Sequence, residues 1–297
     1  LKAHFCFLVP LVALALLLTP PALAQSLTHR YSFINGDATD SVDGMNGTVL
    51  GNVTFQTDPD NPGANGNAVF GGGNSSSNPG YISLPTSTVS SLQNATLEMF
   101  TTGFDASIQP NFEALFAVSS AFPDTSNYTV LAANRDGTQL GTGSRTGGGP
   151  ETVVAGADPL PDGVHVVDLV YSGFSGIGST GLETLYLDGF QVAQGQTVFS
   201  FADVAAGPGG IATVGIGGGS PFGDPTFQGS LNEVRLFNGA LTQDEITADV
   251  NTGPGDLGFT PVPIPASVPE ASTIISFGLL LALGGLFAVR RSASYNH

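Results

Sequence analysis

The sequence predicts an all-β domain, a sandwich or barrel of short strands, set between two terminal segments that do not belong to it. Three observations carry this. At least ten stretches alternate apolar and polar side chains or run apolar for a few residues, and Gly-rich turns separate them. One stretch alone carries a clear helix start. There Thr242 can cap the first turn and Glu245, three residues on, can reach back in a capping box. The composition agrees, with 41 Gly, 20 Phe and only 10% charged residues among 297.

Residues 1–24 read as a secretory signal peptide. Lys2 supplies a positive start, residues 5–18 an apolar run, and Ala22-Leu23-Ala24 a small-x-small cleavage pattern. The run is short for a membrane span. The pattern implies export through the Sec pathway. Cys6, the only cysteine, lies in this segment, so the mature chain has no disulfide and no four-cysteine zinc site.

About 230 residues remain for the domain, enough for one sizeable core. Residues 27–33 alternate as a first strand and run into a polar loop with Asp37, Asp40 and Asp43. Residues 66–73, 81–85, 95–104 and 113–119 are further strand candidates. Residues 128–140 contain Asp136-Gly137, a two-residue hairpin signal, and residues 141–150 read as a flexible loop. Residues 163–171 alternate again, and residues 182–193 fold back at Asp188-Gly189, a second hairpin signal. After residues 211–216, a closing strand around Val234 and Leu236 leads through Asn238-Gly239 to the helix at Thr242.

Several of these stretches also resemble, in this order, one known family. They are Tyr31-Ser32-Phe33 with Asp40, Gly44 and Gly47-Thr48-Val49 after it; residues 66–73; Leu185-Tyr186-Leu187-Asp188-Gly189; and the closing strand from Gly229 to Asn238 with Ala240-Leu241-Thr242 after it. Together they resemble the laminin-G-like family of concanavalin A-like jelly rolls. Phe100 stands where that family often carries Trp, and of its Trp-His-His strand motif only His165-Val166 and Val170-Tyr171 survive. The resemblance implies a jelly-roll β-sandwich of two antiparallel sheets over residues 25–250.

Residues 251–267, with Pro254, Pro261, Pro263 and Pro265, read as an extended linker without packed structure. Residues 271–289 form an unbroken apolar run of 19 residues, close to the ~20 that a transmembrane helix needs. Arg290 and Arg291 come immediately after it and set the C-terminal end in the cytoplasm. Val268-Pro269-Glu270 stands just before the run. Residues 268–297 thus resemble the PEP-CTERM sorting signal of Gram-negative bacteria, with Ala271 in place of the usual second Pro. That resemblance implies an exosortase-type processing enzyme as partner. It implies attachment to the inner membrane through the C-terminal helix before processing, and a final place in the envelope, cell surface or extracellular matrix. A plain C-terminal anchor is the other reading of the same run.

Chemistry is sparse. The formal net charge is −17, and apart from the ends the basic residues are Arg30, Arg135, Arg145 and Arg235. Such a surface repels phosphate backbones and excludes nucleic acid. Glycoside hydrolysis needs two carboxylates about 5–10 Å apart. In the sandwich hydrolases that this fold resembles they come from a Glu-x-Asp-x-x-Glu strand, and no such strand occurs here. Glu98, Glu113, Glu151 and Glu183 stand singly, and by the resemblance Glu233 belongs to a strand where Glu occurs without catalysis. His29 and His165 are the only candidates for a Ser-His-Asp triad, and no Gly-x-Ser-x-Gly elbow accompanies them. The string Gly176-x-Gly178-x-x-Gly181 opens no helix and reads as a loop. No catalytic residue is expected.

Calcium is the one cofactor candidate. Asp37, Asp40 and Asp43 are evenly spaced in a loop ending at Gly44, and Asp58-Pro59-Asp60-Asn61 is a second acidic turn. A hard cation wants such clustered oxygens, although Asp is also favoured in turns for its own hydrogen bonds. Loops 71–80, 141–149 and 217–224 could form a binding rim on a rigid sandwich. The expected function is non-catalytic binding of a glycan, such as an exopolysaccharide, or of another surface component. A divergent polysaccharide hydrolase and a structural matrix protein without a ligand are the alternatives.

Overall fold

A strand of 13 residues, Thr226–Asn238, is the hub of the sheet and pairs with four earlier strands. The structure is a computed structural model that describes residues 25–57, 66–73, 80–104 and 111–260. The expected signal peptide, the loop Asp58-Pro59-Asp60-Asn61, the sorting residues Val268, Pro269, Glu270, Arg290 and Arg291, and the apolar run 271–289 lie outside the described residues. The chain divides after Val262, and the second unit, Pro263–His297, lies outside them too. Among the described residues no helix is long and apolar enough to cross a membrane.

In chain order the first strands are β1 (Ser26–Tyr31), β2 (Thr48–Leu50), β3 (Val53–Thr57), β4 (Gly66–Gly73), β5 (Tyr81–Leu84), β6 (Ala95–Phe104), β7 (Ala114–Ser119) and β8 (Tyr128–Arg135). The rest are β9 (Gln139–Arg145), β10 (Thr152–Ala155), β11 (His165–Ser172), β12 (Gly181–Leu187), β13 (Phe190–Thr197), β14 (Thr213–Ile216) and β15 (Thr226–Asn238). Two short helices are α1 (Phe201–Ala206) and α2 (Gln243–Thr252). One antiparallel layer runs β13-β12-β11-β6-β15, and β1 and β4 share the other edge of β15. The second antiparallel layer runs β10-β9-β8-β7-β14-β5-β2. The two layers join at one corner, where β15 meets β7 in a parallel contact of Thr226 with Ala114. The predicted jelly-roll sandwich is therefore what forms.

Alternation explains the layers. Leu97 and Met99 of β6, Leu169 of β11, and Val234 and Leu236 of β15 point into one core. Phe116 and Val118 of β7, Leu131 of β8, and Val214 and Ile216 of β14 meet them from the second layer. Phe201 of α1 plugs one end, edge-on to Phe116 at 5.8 Å and to Tyr171 at 4.9 Å. Ser200 and Asp203 set the start of α1 by a reciprocal capping box. The expected loop 141–150 is a strand in its first half. β9 has no apolar alternation, but its Gly, Thr and Ser side chains are small enough to be buried between β8 and β10.

The outer face of the first layer is sealed. Arg235 is fully buried there. Its Nη1 donates to Glu98 at 2.8 Å and to Asp249 at 3.2 Å, its Nε donates to Glu233, and its Nη2 donates to the carbonyl of Asp256 at 2.8 Å. Its guanidinium lies 4.7 Å from the centre of the Phe100 ring. Arg30 clamps the other side of Glu233 at 2.9 and 3.0 Å and donates to the carbonyl of Gly255. Phe259 packs 6.0 Å from Phe237. The packed region thus continues past Val250 to Phe259, and the expected linker 251–267 is no linker in its first residues. The cause is the cluster, which gives the backbone of residues 253–258 partners that the Pro-rich composition does not reveal.

Asp168 faces Glu98 across the β6–β11 register and is fully buried, with neither carboxyl oxygen hydrogen-bonded. Burial and then the Glu98 charge hold its carboxyl well above the usual carboxylate range. Burial likewise pushes Glu98 up to about 8 against the pull of Arg235. Both groups bind a proton more tightly folded than unfolded. Between pH 5 and pH 8 the unfolded chain therefore holds fewer protons, and stability falls as pH rises. Urea unfolding of residues 25–260 is expected to show a lower midpoint at pH 8 than at pH 5. Asp168→Asn, which keeps the shape and removes one titration, is expected to flatten that slope. Arg235→Ala, which strands the buried carboxyls, is expected to cost about 3–5 kcal/mol at pH 7.

Candidate functional site

The outer face of the second layer is treated differently. Period-two alternation on β8 turns Tyr128, Val130 and Ala132 outward while Leu131 and Ala133 enter the core. The β8–β9 register sets Arg145 directly opposite Tyr128. The loop after β14 brings Phe222 and Asp224 over the same face, and Phe112 and Arg135 close one end. The result is a groove of about 480 Å³.

Its polar groups are tied to one another. Arg135 Nη2 donates to Glu151 at 2.8 Å, and the Tyr128 hydroxyl donates to the other Glu151 oxygen at 3.0 Å. Burial and then the Glu151 charge raise the Tyr128 hydroxyl far above its usual range. The Arg135 guanidinium stacks 5.6 Å over Phe112, and that of Arg145 stacks 5.0 Å over Tyr128. Arg145 is anchored further, with Nε donating to the Thr125 carbonyl at 2.7 Å and Nη2 to its hydroxyl at 2.6 Å. Gly143 lies under the Arg135–Glu151 pair, where any Cβ would overlap both side chains. Asp224 accepts from Ser220, and burial raises its carboxyl. Phe222 meets Tyr128 edge-on at 4.9 Å and is 47% exposed, so it is the aromatic surface that a ligand can reach.

The residues singled out from sequence do other work. Asp40 is buried. It accepts from the backbone of Arg30 at 3.0 Å, Val42 at 3.0 Å and Met45 at 3.1 Å, and pairs with His29 Nδ1 at 2.8 Å. Burial alone would raise its carboxyl, but these bonds outweigh burial and hold it below the usual range. Asp40 is the hub that shapes its own loop. Asp37 is exposed and closes a turn onto the Thr39 amide at 3.0 Å, and Asp43 is exposed. Asp37, Asp40 and Asp43 are not gathered around one point. Among the described residues no group of three or more His, Cys, Asp or Glu side chains could hold a metal ion.

His165 pairs with Asp188 at 2.8 Å and ties β11 to the β12–β13 turn. Glu98 and Glu233, single in the sequence, share Arg235, but beneath α2 and out of reach of any substrate. Of the three candidate rim loops, 217–224 supplies Phe222 and Asp224 to the groove. Residues 74–79 of another lie outside the described residues. Sequence reasoning missed Arg135, Arg145 and Glu151 as site residues. The available signal was the scarcity of cations: two of the four internal arginines meet here.

A family model described as the Concanavalin A-like lectin/glucanases superfamily matches residues 76–247. Solved structures of similar fold include the CBM40 module of Ruminococcus gnavus IT-sialidase bound to alpha2,3 sialyllactose. The TM-score is 0.42 at 16% identity, over 68% of this chain and 95% of the module. The botulinum neurotoxin serotype C1 binding domain gives 0.47 at 11% identity, over 77% of this chain and 52% of that one. The leech intramolecular trans-sialidase gives 0.43 at 14% identity, over 57% of this chain and 25% of that one. No curated protein matches the chain. At these identities the likeness is one of fold.

The groove and the core are expected to separate under mutation. Phe222→Ala, half exposed, is expected to shift stability by less than about 1 kcal/mol. Phe116→Ala, fully buried in the core, is expected to cost about 3–5 kcal/mol. Thermal unfolding of the two variants beside the parent checks this.

Proposed function

Because the chain belongs to the concanavalin A-like lectin and glucanase superfamily, we propose that it is a non-catalytic saccharide-binding protein whose site is the groove on β8 and β9. The observation that carries this is Phe222, half exposed in a groove that two guanidiniums and three carboxyls also line. A sugar ring presents an apolar face and a rim of hydroxyls. It needs an aromatic surface with donors and acceptors around it, in a preformed concave site.

The hydrolase reading has one observation in its favour: Asp224, with its raised carboxyl, shares the groove with Glu151. Against it, both Glu151 oxygens are engaged, by Tyr128 and by Arg135. A carboxylate so held is poorly placed to attack a sugar or to activate water. We also read the protein as exported and sorted by its ends, so that the groove meets exopolysaccharide outside the cell. Residues 1–24 and 268–297 are the grounds for that part, with an exosortase-type enzyme as the processing partner.

A glycan array with residues 25–260, run with and without calcium, tests the binding reading. Phe222→Ala is expected to lower affinity at least tenfold with an unchanged unfolding midpoint. Hydrolysis of a bound polysaccharide that is lost in Asp224→Asn would replace binding with catalysis. Silence on every glycan would favour a structural matrix role.

A further inference from the structure

We propose that the groove selects a saccharide bearing a carboxylate, of the uronate class, and that Arg135 and Arg145 receive that group. The inference rests on the groove being the saccharide site. It starts from the distribution of cations. Lys2 is the only lysine of the chain, so the described residues carry four arginines and no lysine. Arg30 and Arg235 are engaged by Glu233 and its neighbours under α2. The other two stand in one groove, in a chain of net charge −17.

Both guanidiniums are set in place before any ligand arrives. Each lies over an aromatic ring and is anchored by hydrogen bonds, Arg135 to Glu151 and Arg145 to Thr125. A planar fork held this way loses little freedom on binding and matches the two oxygens of a carboxylate. One donor is also left over. Arg135 is 8% exposed, yet its Nε has no hydrogen-bond partner, and the Asp136 carboxylate stands 3.8 Å away. A buried donor without an acceptor is costly, and Arg145, which is partly exposed, is the guanidinium a ligand reaches first.

The groove's own acids do not cancel the effect. Glu151 is occupied by Tyr128 and Arg135, Asp224 is half-buried and takes a hydrogen bond from Ser220, and Asp136 is exposed at the edge. Phe222 remains for the sugar ring. A neutral saccharide would use Phe222 and the acids but would give the two guanidiniums no carboxylate.

Titration calorimetry with oligogalacturonate, its methyl ester and a neutral oligoglucan tests the proposal. The acid is expected to bind at least tenfold more tightly than its ester, with affinity falling as salt is raised. Arg145→Gln, whose side chain is anchored at the rim, is expected to bring acid and ester within about threefold of each other. Arg135→Gln is expected to do the same wherever its unfolding midpoint shows that it folds. Equal affinity of the parent for acid and ester, or preference for the neutral glucan, overturns the carboxylate inference and leaves the groove reading standing. A sulfated oligosaccharide binding as tightly as the uronate also overturns it, because recognition would then depend on charge alone. Saccharide binding that survives Phe222→Ala undiminished overturns the groove reading itself.

Discussion

A single buried guanidinium closes this sandwich. Arg235 sits in the second half of the central strand, on the face turned away from the core, and holds Glu98 of β6, Glu233 of its own strand and Asp249 of α2 at once. Taking so many charges out of water is costly, and saturating the guanidinium with partners offsets that cost. Four carboxyls face two arginines there, and burial pushes the carboxyls of Asp168, Glu98 and Asp249 up toward the protonated form. The cluster also positions the C-terminal part of the domain. α2 and residues 253–259 lie over this face because Arg235, Arg30 and the Phe237 ring hold them there. With the first layer covered, the groove forms on the outer face of the second.

That second face is shaped by what is small. Where most strands here bury Leu, Val and Phe, β9 buries Gly, Thr and Ser. Gly141 lets β10 come close, since a Cβ there would press on Ala155 at 2.6 Å. Gly143 does the same for the Arg135–Glu151 pair. The pair can then lie flat across β9 and brace Tyr128, whose ring supports Arg145 and touches Phe222. The groove's geometry therefore descends from two glycines and one cross-strand register, with the aromatic rings as spacers between the charges.

These two regions differ in how well they can be read from sequence. Local signals were legible. Asp136-Gly137 and Asp188-Gly189 both take positive φ at each position, 54° and 75° in one and 51° and 80° in the other, as tight hairpins of this composition require. Thr242 and Glu245 form the reciprocal box. The closing strand and its family resemblance located the sandwich correctly. The partners of its outward side chains were not legible, because Arg235 meets Glu98 across 137 residues and Asp256 beyond the point where the composition turns Pro-rich. β9 was hidden for a related reason. Its burial comes from small side chains under close neighbours, which leave no apolar pattern. The Asp-rich loop was legible only in its spacing, which suggested one cation; that Asp40 turns inward to satisfy three backbone amides and His29 was not legible.

The scarcity of cations links the two faces. With four arginines for the whole packed domain, each one has a visible purpose, and they divide evenly. One pair is set against acids, Arg235 fully buried and Arg30 partly exposed, where the charge is neutralised and the benefit is closure. The other pair is stacked on rings in the groove, Arg145 partly exposed and Arg135 buried. An acidic chain can keep exposed cations only where neighbours hold them in a fixed direction, since loose ones would pair with the nearest carboxylate. Arg145 meets that condition, held by Thr125 and the Tyr128 ring and partly exposed. Arg135 is held beside it by Glu151 and the Phe112 ring. Arg145 differs in this from Arg235, whose donors are taken by buried carboxylates.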